Sequence, residues 1–288
     1  MISLLRKTDQ NDVAPEPVRL ELSGPVLSDA LKSLLSGAEV HGGVERYAEA
    51  LKLKSLMFRD ALGGDQSEFV DIEAFMGLCT FMATVRRRIS PYLDQDGFTR
   101  IRNAVRAVLD GAEDTSTTDA RIAAFCEFFP DDRKHRWVRD LATEILHNTD
   151  PERYPLMNRW VWDAKANTGV VREIWHGQDV DHMTIPVPDG YETFITLRQE
   201  LSEYLHANGV FKDVMHYVDL LTAHIYSGYI SSQGGSYLKT DFTAEVDPME
   251  HTRRILGLDG VKPGSSRTRL KSIDGEAFTL DDDVKLLD

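Results

Sequence analysis

The chain has 288 residues, 42% of them hydrophobic, and a formal net charge of −14. That length suffices for a sizeable core in one large or two modest domains, while the acidic balance disfavours non-specific attraction to a polyphosphate backbone. No run approaches the roughly 20 apolar residues of a bilayer-spanning helix, the N-terminus MISLLRKTDQND lacks a signal peptide's apolar stretch and cleavage site, and Cys79 and Cys126 are too few for a disulfide framework, so a cytoplasmic protein without membrane association is expected.

Residues 1–24 carry Pro15 and Pro17 among polar residues and read as an extended arm, touching the body through Val18, Leu20 and Leu22. From Pro25 onward, apolar residues recur at spacings of three and four, the period of amphipathic helices. VLSDALKSLL is the first. GVERYAEALKLKSLMFRDAL is the second and stops at Gly63-Gly64. DIEAFMGLCTFMATVRRRI is a third, apolar enough in its first half to lie centrally in the core, ending at Ser90-Pro91. GFTRIRNAVRAVLDG is the fourth, with Arg102 and Arg106 on one face. A sub-boundary is expected near 111–118, after which Thr118 or Asp119 caps a fifth helix, DARIAAFCEFF. A sixth starts from Pro130-Asp131-Asp132 and runs to about His147.

Pro151 and Pro155 bracket a turn, LMNRWVWDAKAN reads as a short helix, and TIPVP (184–188) is the one segment expected to be extended. YETFITLRQELSEYLH and FKDVMHYVDLLTAHIYSGYI form two long helices around Asn208-Gly209, and DPMEHTRRILGL a last one. The expected fold is therefore mainly α, a multi-helix globular bundle over 25–258 with little or no β structure, followed by a polar tail over 259–288.

Residues Glu144 to His182 hold three of the four tryptophans and three of the nine histidines. Tyr154, Arg159, Trp160 and Trp162 there have the composition of an interface hot spot; their alternative is a core cluster that anchors helices. Trp160 and Trp162, two apart, would point some 200° apart on a helix. Two Glu-x-x-His pairs, Glu144/His147 and Glu203/His206, match the helical spacing of carboxylate-bridged dimetal bundles, for which Glu49 and Glu73 would complete the set. His176, Asp179 and His182 offer ligands of the zinc, iron or manganese type in one turn. His216 and Asp219, three apart, can touch, so that the carboxylate orients the imidazole. The implied cofactor is either none or a divalent transition metal. Arg86–Arg88, Arg100, Arg102 and Arg106, with a second cluster at Arg133, Lys134 and Arg136, form basic stretches that pair with the protein's own carboxylates or meet an anion. Ser231–Ser236 with Lys239 offers a weaker phosphate loop, without Walker spacing.

Leu146-His147, Asp150-Pro151, Tyr154-Pro155 and Asn158 follow one another as a helix end, a Pro turn and the opening of a further segment. This run of about twenty residues resembles all-α proteins related to helix-hairpin-helix DNA glycosylases of the 8-oxoguanine type. The resemblance implies a helical scaffold and a nucleic-acid ligand. Asn158 stands where that family has an aspartate. The family's Leu-Pro-Gly-Val-Gly hairpin and catalytic lysine have no counterpart upstream, the nearest echo being Leu258-Asp-Gly-Val261-Lys262-Pro-Gly. Taken together, the residues favour a helical binding protein, an accessory or regulatory partner of another protein. The alternatives are a metal-dependent enzyme on the His/Asp/Glu set and a nucleic-acid-binding protein on the glycosylase-like scaffold.

Overall fold

The computed structural model describes residues 18–234 and 249–259. Among these the regular structure is all helical, with two isolated antiparallel bridges, Leu22 to Trp175 and Asp163 to Thr168, and no strand. The elements are α1 (Gly24–Glu39), α2 (Val44–Leu62), α3 (Ile72–Thr80), α4 (Gln95–Leu109), α5 (Thr118–Glu127), α6 (Trp137–Thr149), the single turn α7 (Val170–Glu173), α8 (Tyr191–Ala207), α9 (Val214–Gly234) and α10 (Glu250–Ile255). The mainly-α expectation holds. No helix among the described residues is long and apolar enough to cross a membrane.

Helix α6 lies at the centre, packed on α2, α4 and α5, while α9 packs on α1, α2, α8 and α10. The sequence places the third helix at the heart of the core. In the structure α3 buries only its second half, and the helix enclosed on nearly every face is α6, with eleven of its thirteen residues buried. An enclosed helix must satisfy its polar side chains internally. Asp140, Thr143, Glu144, His147 and Asn148 are all buried in α6, and this constraint shapes everything around it.

Three local differences from the sequence reading have physical causes. Regular helix stops at Thr80 rather than Ile89: Arg86 folds back to donate to the Thr80 carbonyl (3.1 Å) and forms a bidentate pair with Asp259 at 2.8 and 2.9 Å, so residues 82–89 proceed as turns. Asp119 does not cap its own helix. Its carboxylate accepts the Tyr191 N–H at 2.9 Å and so holds the first residue of α8. Residues 156–167 form no helix, because their backbone groups are engaged elsewhere. The Arg159 N–H donates to Asp140 Oδ1 (3.0 Å), and the Trp160 and Val161 carbonyls accept the N–H groups of Val170 and Val171. The TIPVP segment forms no helix and no ladder among the described residues; it buries Ile185 and Val187 and exposes Thr184, Pro186 and Pro188, with the Val187 N–H donating to the Ile185 carbonyl at 2.9 Å.

The ends of the body are tied in. His176 N–H donates to the Glu21 carbonyl at 2.7 Å and Ser23 N–H to Ile174 at 2.8 Å, so the last residues of the arm pack as Val18, Leu20 and Leu22 suggest. The 111–118 turn is bonded into the body where Tyr154 Oη donates to the Ala112 carbonyl. Asp259, the first residue of the expected tail, is held by Arg86; the rest of that tail lies outside the described residues, as do residues 235–239 of the expected phosphate loop, whose residues 231–234 belong to α9.

Gly257 makes this closure possible. Its φ is +75°, and a Cβ there would stand 1.8 Å from the Phe81 carbonyl oxygen, a backbone atom that cannot step aside. Gly257→Ala is therefore expected to cost about 1–3 kcal/mol and to loosen the Arg86–Asp259 pair. Urea unfolding monitored by circular dichroism measures the cost; an unchanged midpoint would contradict the close approach.

Candidate functional site

The sequence-derived metal candidates are scattered over several places. His176, Asp179 and His182 sit on an exposed turn, where Asp179 simply accepts from His182 Nδ1 at 2.8 Å. Glu203 and His206 lie on the exposed face of α8, with the His206 ring stacked on Phe211 at 5.9 Å. Glu49 and Glu73 are exposed as well, Glu49 bonded to Lys52 at 2.8 Å. Glu144, His147, His216 and Asp219 alone are buried near one another. Among the described residues no group of three or more His, Cys, Asp and Glu has the geometry to hold a metal ion. The two Glu-x-x-His pairs do not converge, since one faces the core and the other solvent.

What the buried set forms instead is a hydrogen-bonded hub. Glu144 Oε2 accepts from Lys54 Nζ (3.2 Å) and Asn148 Nδ2 (3.0 Å), and Oε1 accepts from Asn158 Nδ2 (3.2 Å). Lys54 Nζ also donates to the Leu256 carbonyl at 2.9 Å. One carboxylate thus joins α2, α6, the Pro loop and the turn after α10. One turn along α6, His147 Nδ1 bonds the Tyr154 carbonyl at 2.8 Å and Nε2 stands 3.4 Å from Asp219 Oδ2. Burial works against charge on the His147 ring, but Asp219, the Tyr154 carbonyl and Glu144 together outweigh it and hold its pKa above the usual value. His216 is held below its usual value, first by burial and then by the charges of His147 and Lys52. Neither ring nitrogen of His216 has a hydrogen-bond partner among the described residues.

The aromatic cluster is core. Tyr154 is 1%, Trp160 8% and Trp162 0% exposed, Trp162 Nε1 donating to the Val187 carbonyl at 3.0 Å and Trp160 packing on Tyr226. Side chains enclosed in this way present no area to a partner, which corrects the hot-spot expectation for these three. Arg159 differs: Asp140, 1% exposed, accepts Arg159 Nη2 at 2.8 Å, leaving the guanidinium at the edge of a surface cavity.

That cavity, about 450 Å³, opens between the turns that follow α3 and the turn that enters α6. Five arginines line it, Arg87, Arg88, Arg133, Arg136 and Arg159, with Thr84 and no carboxylate. Their positions follow from the local fold. In the 82–89 turns Met82, Val85, Arg86 and Ile89 face inward, which leaves Arg87 and Arg88 outside. Asp132 caps the Arg133–His135 turn by accepting the N–H groups of Lys134 and His135, and so directs Arg133 outward. Asp163 and Asp140, both buried, orient Arg136 and Arg159 from behind. Among the described residues Arg87, Arg88 and Arg133 form no ion pair. Two buried polar atoms of lining residues, Arg159 Nε and Thr84 Oγ1, have no hydrogen-bond partner among the described residues. Such atoms are rare in folded proteins and costly.

Arg102 and Arg106, the arginines singled out by their helical spacing, do not join this pocket. Arg106 pairs with Glu68 in a separate, acid-lined depression, and Arg102 is half-buried on α4. Arg86 also pairs with a carboxylate, as expected for arginines in an acidic chain. The residues that escape such pairing, Arg87, Arg88 and Arg133, come from two runs whose meeting no spacing rule reveals. Compared with protein-family models, curated proteins and solved structures, the chain matches none.

Two outcomes test the hub. Glu144→Gln leaves the Lys54 ammonium buried without its counter-charge and is expected to cost about 3–5 kcal/mol, read as a lower urea midpoint at unchanged m; a loss under about 1 kcal/mol would contradict the role given to the pair. For pH, His216 and His224 both have depressed values, chiefly through burial. Their contribution is present above the ordinary value of 6.5 and falls away as pH drops below it, whereas His147, with its raised value, favours the fold below 6.5 and loses that contribution as pH rises through its folded value. His216→Asn is expected to flatten the decline of the urea midpoint below pH 6.5; an unchanged slope would show that His216 carries none of it.

Proposed function

We propose that this chain acts by binding, as a helical accessory or regulatory protein, and that the arginine pocket is where it takes hold of an oxyanion of the phosphate class. The observation that carries this reading is the convergence of five guanidiniums on one cavity without a lining carboxylate, in a chain whose net charge is −14. Three of the five, Arg87, Arg88 and Arg133, make no ion pair among the described residues, and such positive charge stands out in an acidic chain as a local focus of potential that draws anions from solution. Guanidinium forks match phosphate oxygens bidentately, and Arg136 and Arg159, held from behind by Asp163 and Asp140, are oriented before the ligand arrives.

The test is isothermal titration of the full chain with pyrophosphate. Binding is expected, weakening as ionic strength rises. Arg88→Gln with Arg133→Gln, both exposed and without ion pairs among the described residues, is expected to lower affinity at least about tenfold, since a charge-assisted hydrogen bond is worth roughly 1.5–3 kcal/mol. Arg106→Gln, outside the pocket, is expected to leave it unchanged. No binding at millimolar pyrophosphate, or equal weakening by Arg106→Gln, would overturn the reading.

A further inference from the structure

A second cavity, of about 410 Å³, lies between α5 and α6 and shares two wall residues with the first, Arg136 and Arg159. The two cavities therefore adjoin as neighbouring chambers, with those guanidiniums in the wall of each. Their chemistry differs. The second chamber has apolar walls, Ala123, Cys126, Phe129, Pro130 and Val138, with His135 and Arg139 beside the two shared arginines. Its floor is rigid: Phe129 stacks on Phe125 at 5.8 Å and meets Trp137 edge-on at 5.9 Å. Its rim carries Glu127, Asp131 and Asp132. Asp132 is occupied, accepting from His135 Nδ1 at 2.8 Å and from the backbone below it, while Glu127 and Asp131 are exposed and make no ion pair among the described residues.

The two chambers thus differ in what they offer. The first is lined by five guanidiniums and no carboxylate. Its neighbour combines apolar walls with a carboxylate rim and the guanidiniums of Arg136, Arg139 and Arg159. A ligand that satisfies both has a polyanionic end and, within one molecule's length, a flat apolar body that carries N–H donors.

Resting on the oxyanion reading above, we propose that the ligand is a nucleoside polyphosphate, its phosphates in the arginine chamber and its base in the apolar one. The Arg136 and Arg159 guanidiniums stand at the junction, where planar cations contact either phosphate oxygens or the face of a base. Glu127 and Asp131 accept from the exocyclic amino or ring N–H groups of the base. A bare oxyanion fills the first chamber and leaves the second empty. A phosphorylated protein segment would seat a side chain in the second chamber without needing its carboxylate rim.

Calorimetric titration of the full chain with ADP, GDP, CDP and UDP, each against pyrophosphate, tests this. At least one nucleoside diphosphate is expected to bind about tenfold or more tightly than pyrophosphate. Ala123 is exposed and lines only the second chamber, so Ala123→Trp fills that chamber from outside the core. It is expected to abolish the nucleotide's advantage while leaving pyrophosphate affinity and the unfolding midpoint unchanged. Glu127→Gln with Asp131→Asn is expected to alter the order of preference among the four bases. If pyrophosphate binds and no nucleotide binds more tightly, or if the advantage survives Ala123→Trp, the nucleotide proposal is overturned and the oxyanion reading stands. If neither pyrophosphate nor any nucleotide binds, both are overturned.

Discussion

The Glu144 carboxylate, buried in a helix that is itself surrounded, is the constraint around which the rest of the molecule is arranged. A charge in that position cannot remain without partners, because the desolvation of an ion in a protein interior costs several kcal/mol. Its partners come from four places: Lys54 on α2, Asn148 on its own helix, Asn158 on the Pro loop and, through Lys54, the Leu256 carbonyl near the end of the described chain. Asp140, one turn earlier on α6, repeats the arrangement by holding both the backbone and the side chain of Arg159. His147, one turn later, takes the Tyr154 carbonyl. Three polar residues on one face of α6 thereby dictate the course of residues 150 to 163.

Apolar residues of similar volume could fill the same space and stabilise it as well or better. They would not determine where the Pro loop sits. That placement is what brings a guanidinium from the loop, Arg159, to the same cavity as Arg87 and Arg88 from the turns after α3 and Arg133 and Arg136 from the entrance to α6. The turns after α3 depend on an ion pair in a similar way, since the buried Arg86 turns inward to the half-buried Asp259 and its two neighbours are left outside. Core and cleft are in this sense one construction, with buried carboxylates fixing the orientation of exposed cations.

Much of the helical framework was legible in the sequence, because amphipathic periodicity and Gly or Pro terminators are local signals. The second helix ends at the Gly63-Gly64 stop, and the segments expected near 191–206 and 211–230 appear as α8 and α9. The differences arise where tertiary hydrogen bonds override a local pattern. LMNRWVWDAKAN has helical composition, yet its donors and acceptors are taken by Asp140, Val170 and Val171. The central place of α6 was hidden by its polar residues, which lower its mean hydropathy although nearly every one is buried and partnered. The cleft was visible only as two runs of arginine. Nothing in residues 86–88 or 133–136 states that they meet, whereas Arg102 and Arg106 offered a spacing that meant no more than a shared helix face.

The claim on which this account rests most heavily is that the buried Asp140 carboxylate holds the Arg159 guanidinium at the wall of the arginine cavity, where it meets an incoming anion. The arginine side-chain Nε–Hε correlation spectrum of the full chain, recorded during addition of phosphate, tests it directly. The Arg159 resonance is expected to shift downfield with the saturation curve of binding, together with that of Arg133, while those of Arg106 and Arg153 hold still. An Arg159 resonance that stays fixed as the others move, or a spectrum unchanged throughout, would contradict the account.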